Sequence, residues 1–148
     1  MINESLKSKI WNFLLLISSL IGYLEWGGDN QAFLFQLEGQ ILSKLFTEPG
    51  SIIHPLIILP VLGQLFLLIG LFQKQPNKRL VYMGIGSIGV LLGLISLIGI
   101  LNSNLKILTS TLPFITIVMF TIKHYRSMKL SAKREDEKTL LLLNKSEI

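Results

Sequence analysis

Apolar residues fall along this chain in long blocks, without the strict alternation of half-buried strands. The four blocks run from Ile10 to Trp26, Ile52 to Phe72, Leu80 to Leu101 and Ile107 to Ile122. A hydrocarbon core about 30 Å thick is crossed by roughly 20 mostly apolar helical residues. The second and third blocks meet that length. The first and last are shorter, and they reach across when Lys7 and Lys9, or Lys123, extend their ammonium groups to the headgroups. The pattern predicts an all-α integral membrane four-helix bundle, with a membrane domain over residues 1–126 and a charged tail over 127–148.

Between the first two blocks the pattern changes. Asp29 or Asn30 is placed to cap a helix, and Leu34, Leu37, Ile41 and Leu45 then recur on one face, flanked by Phe33 and Phe46. Gln36, Glu38, Gln40, Ser43 and Lys44 occupy much of the remaining surface, and Pro49-Gly50 supplies a stop. The spacing predicts an amphipathic helix over about residues 30–47, lying on the extracytoplasmic membrane surface or folded over the bundle. The connections Gln73 to Arg79, with Pro76, and Asn102 to Lys106 are short and polar, which favours an up-down-up-down arrangement. Beyond Lys123, opposite charges three and four apart in Lys133-Arg134-Glu135-Asp136-Glu137-Lys138 predict a solvated helix.

Charge placement orients this arrangement. Of the 148 residues, 50% are apolar and 16% charged, with a formal net charge of +5. Four spans put Lys7, Lys9, Lys74, Lys78, Arg79 and every basic residue from Lys123 to Lys145 on one side, with Lys44 and Lys106 opposite. That bias follows the positive-inside rule with both termini cytoplasmic, and it accounts for the basicity without a nucleic-acid partner. Lys7 and Lys9 before an apolar run resemble a signal peptide, but Tyr23, Glu25 and Trp26 stand where a small-residue cleavage site is needed, so no cleavage is expected. Without cysteine there is no disulfide framework or thiolate chemistry.

Polar and small residues inside the blocks are informative because lipid makes unpaired polar groups costly. Gly86, Gly89, Gly93 and Ser96 form one stripe on the third helix, expected to pack against a neighbouring helix or to form a homodimer seam. In the second block Pro60 removes a helical hydrogen bond and frees the carbonyl of Leu56, predicting a kink, and Gln64 needs a partner at mid-depth from Ser18, Ser19, Ser87 or Thr116. Pro113 does the same to Thr109 in the fourth block. The topology gathers Tyr23, Glu25, Trp26, His54, Asn102 and Asn104 at the outer mouth, with Glu38 above them. Tyr23, Glu25, Trp26, Glu38, His54 and Gln64 are therefore the candidate ligand-binding residues, set against their plainer reading as an interfacial aromatic and hydrogen-bonded belt. No metal site is expected, since His124 falls on the opposite side from His54, and no cofactor or catalytic motif is present.

The string Tyr23-Leu24-Glu25-Trp26-Gly27, followed by His54-Pro55, Pro60 and Gly63-Gln64, resembles small four-helix membrane proteins of Bacteroidota bacteria. The resemblance covers the first half of the chain. It implies a bacterial inner membrane and carries no activity or functional residue with it.

The function expected is non-enzymatic: binding of membrane lipid or another small hydrophobic ligand, or service as an accessory subunit to a membrane partner or as a homo-oligomer. The alternative is a small transporter or proton-coupled permease in which Glu25 and His54 exchange protons and Gln64 lines a path between kinked helices.

Overall fold

The computed structural model describes residues 3–26, 30–48, 50 and 55–146. Among them five helices and one short hairpin follow in the order α1 (Glu4–Leu20), β1 (Tyr23–Trp26), β2 (Asn30–Phe33), α2 (Leu34–Thr47), α3 (Pro55–Phe72), α4 (Lys78–Leu101) and α5 (Leu105–Ser146). The protein is largely α-helical.

Side chains mark the helix starts. Asn3 Oδ1 accepts from the Ser5 N–H at 3.2 Å at the head of α1, and Asn77 Oδ1 accepts from Arg79 at 3.0 Å at the head of α4. Between α4 and α5 the chain reverses through Ser103, at φ 50°, and the Asn104 N–H bonds the Gly99 carbonyl at 2.9 Å. Asn104 Oδ1 then accepts from Lys106 at 3.0 Å and starts α5. The α5 helix continues through Pro113 and on without a break past residue 126, so the described part of the charged tail is its extension.

Two expectations are corrected here. The helix predicted to reach Trp26 ends at Leu20, and Tyr23–Trp26 instead pair antiparallel with Asn30–Phe33, in the register Tyr23 with Phe33 and Trp26 with Asn30. The next helix begins at Leu34, not at residue 30. Aromatic residues favour extended backbone, and Gly27-Gly28-Asp29-Asn30 between the two runs is turn chemistry that weakens any helix. At the hairpin base the Leu34 N–H bonds the Gly22 carbonyl at 2.7 Å. The first turn of α2 is held by Gln36, whose Oε1 accepts the Phe33 N–H at 3.0 Å, where Asp29 or Asn30 was expected to act.

The most extensive interface is between α3 and α4; α1 lies against α3 and α5, and α5 against α4. Leu15, Leu67, Val81, Ile88, Leu92, Ile95, Ile107 and Phe114 form the core between them. Gly63 and Gly84 bring two backbones together: a Cβ on either would lie 2.9 Å from the other's carbonyl oxygen. The stripe expected to pack within the bundle does not do so through its glycines. A Cβ at Gly86, Gly89 or Gly93 would meet nothing within 4 Å, while Ser96 Oγ is 3.0 Å from Thr111 Oγ1. The physical reason is register, because Gly84 lies on the face of α4 turned to α3 and these three glycines do not.

Among the described residues two helices, α4 and α5, are long and apolar enough to cross a membrane, and α3 is apolar but shorter. Only 28% and 22% of their most apolar stretches are buried, which sets them apart from the core helices of a soluble protein. The Gly63 and Gly84 contact yields a direct test. Gly84→Val is expected to destabilise the fold by about 1–3 kcal/mol, whereas Gly86→Val stays within about 0.5 kcal/mol. Unfolding of both variants in the same detergent measures the difference.

Candidate ligand groove

Three helices frame a groove. Because α1 ends early and the chain turns back through the hairpin, α2 comes down beside α1 and reaches α3 through Glu38 and Gln64 instead of continuing away from them. Leu16 of α1, Ile41 and Leu42 of α2, and Val61, Leu65 and Leu68 along α3 then wall a cavity of about 400 Å³. The spacing of these α3 residues, four and three apart, places them on one side of the helix. The volume is within the usual range for small-molecule sites.

Glu38 and Gln64 are the polar residues of the lining. Gln64 Nε2 donates to Glu38 Oε1 at 2.7 Å and to Ser19 Oγ at 3.2 Å, and Ser19 Oγ donates onward to the Leu16 carbonyl at 2.7 Å. The amide expected to need a partner therefore finds two, one of them on the helix outside the bundle core. Burial in the groove pushes the Glu38 carboxyl up from its ordinary 4.5, and the hydrogen bond from Gln64 pulls the other way.

The candidate residues separate into two groups. Glu38 and Gln64 meet in the groove, while Tyr23 and Glu25 lie on the hairpin. Asn104 Nδ2 donates to Glu25 Oε2 at 2.5 Å, and the Tyr23 hydroxyl donates to Gln31 Oε1. The Tyr23 N–H donates to Ser110 Oγ at 3.0 Å, tying β1 to the first turns of α5. Trp26 pairs through its backbone with Asn30. His54 lies outside the described residues. Leu16, Ile41, Leu42 and the apolar edge of α3 were not among the candidates, although the recurrence of Leu34, Leu37 and Ile41 marked the α2 face that closes over them.

At the other end of the bundle Ser8 Oγ is 3.0 Å from His124 Nε2 and joins the first and last helices. The His124 side chain is 12% exposed, with Glu4 Oε2 3.9 Å from its Nδ1. Burial lowers the His124 pKa from 6.5; the Glu4 carboxylate opposes that shift and the Lys7 ammonium adds to it.

These two groups act on stability in opposite directions. Glu38 has a raised folded pKa, so its contribution is complete below 4.5 and is lost as pH rises through the folded value. His124 has a lowered folded pKa, so its contribution is complete above 6.5 and is lost as pH falls through the folded value. Glu38→Gln is expected to remove the loss on the alkaline side and His124→Gln the loss on the acid side, measured as melting temperature from about pH 4 to about pH 8. No family model, curated protein or solved structure matches the chain.

Proposed function

We propose that the protein is a non-enzymatic integral membrane protein that crosses the bilayer four times and holds a lipid-like or other small hydrophobic ligand in the groove between α1, α2 and α3. The groove itself carries the proposal: an apolar cavity of about 400 Å³ whose polar lining is one carboxyl and one amide joined to each other. Apolar walls with a few placed polar groups suit a ligand that is mostly hydrocarbon and has one polar end.

The membrane setting draws support from the outward faces of the helices. Phe13 and Ile17 on α1, Ile69 and Phe72 on α3, Leu94 and Leu97 on α4, and Met119 and Phe120 on α5 are large apolar side chains exposed on the chain's surface. So broad an apolar surface is costly in water and suited to lipid. In this reading α1, α3, α4 and α5 span a bacterial inner membrane, α2 descends from the extracytoplasmic end to the level of Gln64, and both termini are cytoplasmic, as the distribution of lysine and arginine favours.

Topology is tested by reporter fusions: one after Ile148 should report the cytoplasm and one after Gly50 the periplasm, and a periplasmic signal after Ile148 contradicts the orientation. Binding is tested with a single-chain alcohol carrying a photoreactive group in its chain, added to the protein in nanodiscs. Labelling should map to α2 and α3 peptides and fall by about tenfold or more in Leu42→Trp and Leu65→Trp, which fill the groove, but not in Leu97→Trp on the far face of α4. Equal labelling of all three variants rules the groove out as the binding site.

A further inference from the structure

The polar part of the groove, Glu38 and Gln64, has an unequal hydrogen-bonding inventory. A glutamine amide carries two N–H donors and a carbonyl acceptor. Both donors of Gln64 are engaged, one by Glu38 Oε1 and one by Ser19 Oγ. The Ser19 hydroxyl proton is also committed, to the Leu16 carbonyl. Gln64 Oε1 and Glu38 Oε2 are left without a partner among the described residues, and both are acceptors when Glu38 is ionised. Among the described residues no lysine, arginine or histidine lines the groove. Glu38 thus has no cationic partner there among the described residues, in surroundings that make a bare carboxylate costly.

We infer that the groove selects its ligand by head group, taking a single-chain amphiphile whose head donates hydrogen bonds, with an ammonium favoured over a hydroxyl and a carboxylate rejected. This inference rests on the amphiphile-binding reading of the same groove. An ammonium head supplies both donors and the missing positive charge, and its bond to Glu38 is charge-assisted. A hydroxyl supplies one donor. A carboxylate head brings a second negative charge to a site that offers it no donor, and like charges at close range in low dielectric repel strongly.

The elements packed against Glu38 present few groups that could substitute for it. From α1 the facing polar group is Ser19 and from α3 it is Gln64, neither of which titrates, and Lys44 on α2 itself does not line the groove. The head-group preference therefore depends on the charge of Glu38. It should sharpen as pH rises through the Glu38 titration and weaken below it.

The experiment uses the full chain in nanodiscs of uncharged lipid, with three photoreactive probes that share one alkyl chain and differ in head: ammonium, hydroxyl and carboxylate. Near neutral pH the ammonium probe is expected to label groove peptides about tenfold more than the carboxylate probe, with the hydroxyl probe between them. In Glu38→Gln, which is close to isosteric, the ammonium advantage over the hydroxyl should shrink to within about twofold while hydroxyl labelling persists. The parent chain supplies a second measurement independent of any variant: lowering the pH toward 4.5 should lower the ratio of ammonium to hydroxyl labelling. Equal labelling by all three heads overturns the head-group inference and leaves the groove as a binding site. A parent ratio that does not change with pH, or with Glu38→Gln, overturns the role of Glu38. Absence of groove labelling by every probe overturns the binding reading together with this inference.

Discussion

The backbones of α3 and α4 meet at Gly63 and Gly84, and the rest of the bundle is arranged around that contact. In the membrane setting proposed for the chain, lipid offers apolar side chains as good an environment as the protein interior does, so helices associate through dispersion contacts and polar bonds. Two glycines facing each other allow the shortest approach, with Leu67 packed beside Gly84 and Ile88 beside Gly63. The pair then presents two useful surfaces. One receives α1 and α5, and the flank of α3 carrying Val61, Leu65 and Leu68 remains as a wall for the groove.

Hydrogen bonding inside this bundle is mostly local. Ser18, Ser110, Thr116 and Thr121 donate to carbonyls three or four residues back in their own helices. Their hydroxyls are satisfied before any helix meets another. Other bonds cross between elements: Asn104 to Glu25 and Tyr23 to Ser110 at one end, Ser8 to His124 at the other with Ser5 donating to the Lys74 carbonyl nearby, and between them Ser96 with Thr111 and Gln64 to Ser19 and Glu38. Asn12 is one exception. It is fully buried beside Gly70, and neither side-chain polar atom has a partner among the described residues, at a cost of about 1–3 kcal/mol.

The helical segments were legible because long apolar blocks and short polar turns are read residue by residue. Asn77 and Asn104 stand where caps belong, and the helices they start lie close to the predicted ones. The hairpin was obscured because Tyr23 to Trp26 continues an apolar run, and hydropathy does not distinguish a helix end from a strand. The glycine stripe on α4 was visible but its orientation was not, since periodicity defines a face without saying what lies opposite. The need of Gln64 for a partner follows from its place in an apolar helix, and Ser19 is one of the hydroxyls at its depth. The bond of Gln64 to Glu38 depended on α2 folding back from residue 34, a tertiary feature that follows from the hairpin and not from the spacing within either helix.

The bond between Ser8 and His124 has a consequence for assembly. It links residues separated by 116 positions, and Trp11 stacks on Phe120 in the same interface, with ring centroids 5.8 Å apart. During synthesis α1 therefore emerges long before its α5 partner exists. Its serines at 18 and 19 are already bonded within the helix, but Ser8 and Asn12 have no such arrangement in the folded chain. The first helix must wait in an unfinished state, and the last helix to be made is the one that completes its packing.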